Sequence, residues 1–221
     1  MATDEYLIKF LVIAAVSITA ALLVLLQGKA LTRADKYIGI LLLLMFVTEC
    51  VSCLLAYRNA NNYPMYHIYS PVELALICAY FTEFIPSLKK NHGGLILGIS
   101  GFVVAAANVT FVQPIDTFNS YFLIFETAVI VCLCLYSFYH FLLHNDDLMT
   151  HYCSFWVVVC ILLYWSMTFA GDGLYAVISV KEAESVKSII NNIKYSVNVL
   201  FYLSISAVFI FYRRLIPSGG K

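Results

Sequence analysis

Glu49, Glu73, Glu126 and Lys194 each stand inside a long run of apolar residues. An ionised side chain in such a run costs several kcal/mol or more unless it is paired, hydrated or bound, which makes it a candidate functional group. Three carboxyls and one ammonium can hold a small polar or cationic ligand, or pass an ion or proton. Tyr69, Tyr164 and Trp165 add ring faces that attract a cation, and Asn198 and Asp172 add further polar atoms. These residues recur at helical spacing. Tyr66, Tyr69, Glu73 and Tyr80 form one stripe, and Asn119 and Glu126 form another that runs on to Ser137, His140 and His144. A third joins Asn191, Lys194, Tyr195, Asn198 and Tyr202, and a fourth Tyr164, Thr168, Asp172 and Tyr175. Residues three or four apart share a helix face, so each stripe points in one direction.

A second constellation is His140, His144 and His151, with Asp146 and Asp147 between them. His140 and His144 lie one helical turn apart, and three histidines with an acid suit Zn²⁺. The competing reading is that the histidines near a helix C-terminus complement its dipole. No other cofactor is implied.

The elements that position these groups follow from composition. The chain has 221 residues, 62% hydrophobic and 12% charged, with a formal net charge of zero. That is far more apolar than a soluble domain, and the absence of a basic surface argues against nucleic acid as a partner. A membrane-spanning helix needs about 20 mostly apolar residues. Seven segments qualify: 6–27, 36–57, 66–85, 94–112, 118–144, 152–178 and 188–212. The expected fold is all-α, a single seven-helix transmembrane bundle over residues 1–221. Lys29, Arg33, Lys36, Lys89, Lys90, Arg213, Arg214 and Lys221 fall on one side, against Arg58, Lys181 and Lys187 on the other. Excess positive charge marks the cytoplasmic side, so the N-terminus is expected outside and the C-terminus inside, in a bacterial inner membrane. Acidic Asp4 and Glu5 before the first span do not suit a cleavable leader.

At about 1.5 Å per residue, this orientation sets Glu49, Glu73, Glu126, Lys194, Tyr164, Trp165 and Asn198 at one depth in the outer half. If their faces point inward together, they line a pocket open to the outside. Gly94, Gly98, Gly101 and Ala105 form a small-residue face, which lets backbones approach closely in lipid; that helix is expected to be central or tightly packed. Cys50 and Cys53 make a C-x-x-C spacing with no second pair to complete a zinc site. The cysteines are read as small core hydrophobes.

Two resemblances bear on function. Glu49-Cys-Val-Ser52 looks like the first half of the helix-2 pattern of seven-helix zinc hydrolases of the alkaline ceramidase and progestin/adiponectin-receptor type, although Ala56 stands where that pattern has histidine. Tyr66-His-Ile-Tyr69-Ser-Pro-Val-Glu73 resembles the third helix of short seven-helix membrane proteins of Bacteroidota, some of them neighbours of sensor kinases. The second resemblance implies a sensory role. The leading expectation is a membrane sensor or ligand-binding module that takes a small polar or cationic ligand and acts on a separate cytoplasmic signalling protein. The alternatives are a small-solute or ion transporter or channel, and a metal-dependent membrane hydrolase. Membrane lipid is a partner in every case.

Overall fold

The computed structural model describes residues 2–27, 31–58, 60–144, 152–178 and 184–215. Among them the chain is all helix, without strands. In order the helices are α1 (Ala2–Leu25), α2 (Arg33–Tyr57), α3 (Tyr63–Phe84), α4 (Pro86–Lys90), α5 (Gly93–Phe111), α6 (Ser120–His144), α7 (Cys153–Ile178) and α8 (Glu184–Leu215). Their starts have local causes. Thr32 caps α2: its hydroxyl accepts from the Asp35 amide at 3.1 Å, and the Asp35 carboxylate accepts from the Thr32 amide at 3.0 Å. This reciprocal pair satisfies donors that a helix start leaves unmet. Pro64 lies in the first turn of α3, where a missing N–H costs nothing, so α3 begins three residues before the apolar run. Pro86 opens α4, a short helix that breaks the connection to α5 and carries Lys89 and Lys90 in its last turn.

α1, α2, α5, α6, α7 and α8 each contain a stretch long and apolar enough to cross a membrane. α3 does not meet that measure, because its first half carries Tyr66, His67, Tyr69, Ser70, Pro71 and Glu73. It is nevertheless deeply enclosed, with Leu74, Ile77, Cys78 and Phe81 fully buried. The chain is therefore a multi-pass membrane protein on composition, with α3 standing apart as a polar helix in the interior.

The packing partners define a ring. α1 packs on α2, α2 on α3, α3 on α6, α6 on α7, α7 on α8, and α8 returns to α1. α5 lies outside this ring, against α3 and, less extensively, α6. The small-residue face of α5 makes that seam: Gly94, Gly98, Gly101 and Ala105 are buried, while Leu95, Ile96, Ile99, Phe102 and Val103 are exposed on the opposite side. A methyl group on Gly94 would lie 2.7 Å from the Cys78 carbonyl oxygen and overlap Thr82, so backbone approach requires glycine there. The helix is tightly packed, as expected of that face, but peripheral and not central. One wall-to-wall contact is enough to bury a single small-residue face, so the face reports closeness and not position.

The ring interior divides into two halves. At the end bearing Lys89, the interior is filled by Leu41, Leu42, Ile77, Phe81, Ile130, Val158, Ile161 and Ile205, all buried. Phe84, Phe141 and Phe155 extend this layer; the first two stack at 5.8 Å between centroids. Buried Ser137 and Ser206 satisfy their hydroxyls on carbonyls one turn back, Leu133 and Tyr202. At the opposite end, bearing Asn61, the ring interior is open.

Candidate ligand cavity

That open half holds a cavity of about 330 Å³. Five of the ring helices, or the residues leading into them, supply its walls, and α5 supplies none. Glu49 comes from α2, Tyr69 and Glu73 from α3, Tyr164 from α7, and Lys194 and Asn198 from α8. A second chamber of about 150 Å³ adjoins it, sharing Glu73, Phe118, Leu123, Tyr164 and Thr168. Glu126 and Trp165 line this smaller chamber. Of the nine ligand-site residues expected from the stripes, eight border the two spaces. The ninth, Asp172, has a side chain outside the described residues.

Within the cavity the polar groups are held by specific bonds. Tyr69 Oη donates to Glu73 Oε1 at 2.6 Å, one turn apart on α3. Tyr164 Oη donates to Asn198 Oδ1 at 3.1 Å, tying α7 to α8. Tyr164 also stacks on Phe201 at 4.3 Å and meets Trp165 edge-on at 4.6 Å, which fixes the ring as a wall. The Lys194 ammonium sits 5.7 Å from the centre of the Phe118 ring, over its face, an arrangement that attracts a cation to the ring. The Lys194 stem passes close to Gly171 on α7, where an added methyl would come within 3.4 Å of it. Glu126 differs from all of these: it is buried, and neither carboxyl oxygen has a hydrogen-bond partner among the described residues.

The mouth is built from residues 60–62 and the 112–119 connection. Asn62 donates to Ser52 Oγ at 2.7 Å, and that hydroxyl shares a hydrogen bond with Tyr66 Oη at 3.1 Å. Asn61 donates to the Asp116 carbonyl at 2.8 Å, and His67 Nε2 meets the Thr117 carbonyl at 2.9 Å. Gln113 ties the second connection to the start of α6, donating to Phe118 O and Ser120 Oγ and accepting from the Tyr121 amide. Asn108 of α5 donates to Asn119 Oδ1 at 3.0 Å. A helix outside the ring thus reaches the cavity wall through one amide pair.

Phe118, Tyr63, Thr48 and Ser70 also line the cavity, although none was marked by charge or by a stripe. Phe118 and Tyr63 look like interfacial aromatics in sequence, and they pack edge to face at 6.2 Å. Only a helix-to-helix register places Phe118 under Lys194. Glu83 and His140, which could have continued a polar route, border neither space; Glu83 instead pairs with Lys89 at 3.2 Å.

The zinc constellation cannot be assembled from the described residues. His140 is half-buried and packs beside Phe141, while the His144 side chain and all of His151 lie outside them. Among the described residues no group of three or more His, Cys, Asp or Glu side chains is placed to hold a metal ion. All seven cysteines are free thiols.

No protein-family model, curated protein or solved structure matches this chain. The function must therefore be argued from the site itself.

Proposed function

We propose that the chain is a seven-crossing sensor of the bacterial inner membrane, N-terminus outside and C-terminus in the cytoplasm. A small polar or cationic ligand enters the cavity from outside, and occupancy is passed to a separate cytoplasmic signalling protein. The observation that carries this reading is the convergence of Glu49, Glu73, Tyr164, Lys194 and Asn198 on one space of about 330 Å³. Charge at membrane depth is expensive, and groups that share a cavity at that depth mark a binding site before they mark a structural network.

α3 supplies the seventh crossing. Its 22 residues span about 33 Å at 1.5 Å per residue, enough for a hydrocarbon core of about 30 Å. Its polar face is turned into the ring, so lipid never meets it. The Asn61 end is the outer one, because Lys89, Lys90 and Arg33 gather at the other. The packed layer of Phe81, Ile130, Ile161 and Ile205 beneath the cavity favours sensing over transport, since a transport route would have to open that layer. Ligand contacts on α2, α3, α7 and α8 give binding a direct way to shift helix positions.

The test is thermal unfolding of the detergent-purified protein against a panel of amines, amino acids and short lipids. A ligand-dependent rise in Tm for wild type, reduced in Glu49→Gln and Lys194→Gln, is the expected result. Failure of every compound to shift wild type, or equal shifts in both variants, would overturn the reading. Proteoliposomes should show no flux of the compound that binds.

A further inference from the structure

We propose that the smaller chamber is an ammonium seat: Glu73 and Glu126 hold the primary ammonium of a compact amine whose apolar body lies against Trp165 and Phe169. The inference deepens the ligand-binding reading and rests on it.

Glu126 is 1% exposed, borders the chamber, and has no partner for either carboxyl oxygen among the described residues. A buried carboxylate left in that state is strongly unfavourable, and a cation placed against it removes the penalty. Glu73 borders the same chamber from α3, with Oε1 already engaged by Tyr69. Among the carboxyl oxygens that leaves three acceptors, Glu73 Oε2 and both oxygens of Glu126, beside the hydroxyls of Ser120, Thr127 and Thr168 in the wall. A primary ammonium carries three donors, so their number matches these carboxyl acceptors and its charge has the sign they attract. Lys194 borders the larger cavity and not this chamber, so its ammonium does not line the seat.

The rest of the wall selects the kind of cation. Phe118, Tyr164 and Trp165 present aromatic surface, which favours an organic cation through the ring quadrupole. A hard metal ion such as Mg²⁺ or Ca²⁺ prefers a shell of about six or more oxygens, whereas here the carboxyls and hydroxyls are set among rings and aliphatic groups, a wall that suits an organic cation better. Ile124 and Phe169 border the chamber and are also exposed on the outer surface of the bundle. The seat therefore continues into apolar surface between α6 and α7, where a hydrocarbon or aryl group would lie. At about 150 Å³, the chamber fits a compact amine and excludes a bulky one.

The experiment measures binding to the full purified chain by calorimetry and thermal unfolding. The probes are phenethylamine, its neutral counterpart 2-phenylethanol, phenethyltrimethylammonium, and sodium chloride. Phenethylamine should bind and raise Tm. The alcohol has no charge and the quaternary salt no N–H donors, so neither should match it, and sodium should not compete. Glu126→Gln should lose at least about thirtyfold in affinity for phenethylamine, the scale for removing one partner of a buried charge pair. Equal binding of the alcohol or the quaternary salt, or unchanged affinity in Glu126→Gln, overturns the seat. Infrared difference spectra of wild type give a readout free of any variant: carboxyl bands should change on adding phenethylamine, and unchanged bands overturn the seat. If amino acids or lipids shift Tm while phenethylamine is silent, the seat falls and the larger cavity keeps its assignment. If no compound shifts Tm, both fall.

Discussion

Tyr69 Oη donates to Glu73 Oε1 at 2.6 Å, so the most enclosed helix of the ring holds its carboxylate with a hydroxyl one turn away. The bond orients Glu73, which borders both the larger cavity and the chamber it shares with Glu126. Removing it by Tyr69→Phe should destabilise the protein by about 1.5–3 kcal/mol, the range for a hydrogen bond to a charged group. Chemical denaturation in detergent measures this. Weaker ligand binding should accompany it, because the carboxylate is no longer positioned.

Glu126 should show the opposite sign. A buried polar group left unsatisfied costs about 1–3 kcal/mol, and an apolar side chain of similar size removes that cost. Glu126→Leu should therefore raise the Tm of the unliganded protein while abolishing its response to amines. A lower Tm would show that Glu126 contributes to stability in the unliganded state.

The seam between α3 and α5 makes a paired prediction. Gly94→Ala meets Thr82 and the Cys78 carbonyl and should cost about 1–3 kcal/mol, as overpacking does. Gly98→Ala meets only Ala75, at an ordinary 3.5 Å. It should be neutral, or stabilising by up to about 1 kcal/mol through helix propensity. Unfolding of the two variants side by side checks both the seam and its register.

Gln113 bonds three groups at the start of α6, next to the cavity residues Phe118 and Asn119. Gln113→Ala should cost about 1–3 kcal/mol for the partners left unmet. It should also weaken ligand binding, although Gln113 itself does not border the cavity. Equal affinity in wild type and variant would show that the cavity wall does not depend on this tie.

Orientation and the crossing by α3 can be read with one pair of fusions. Alkaline phosphatase joined after Asn62 should be active, because the proposed orientation puts that site outside; joined after Lys90 it should be inactive. Activity at both sites would mean that α3 does not cross.

The apolar runs and their polar depth were legible without coordinates. Lipid admits few alternatives to a helix of about 20 apolar residues, and a fixed rise per residue converts position in a run into depth. That is why Glu49, Glu73, Lys194 and Asn198 could be grouped before any helix was placed beside another. α3 shows the limit of composition: its polar first half lowers its hydropathy below that of a lipid-facing span, and its enclosure by α2, α5 and α6 is invisible in its own sequence.

What the amino-acid sequence determined by itself was the all-helical multi-pass architecture and the common level of its polar residues along the bundle, because both follow from local chemistry along one chain. Tertiary structure alone decided that α5 lies outside the ring, that Phe118 lies beneath Lys194, and that Glu126 opens into a side chamber with Trp165. Those relations depend on helix rotation and neighbour choice. In a bundle these are set by packing summed over many weak contacts between distant segments, and no single stripe encodes them.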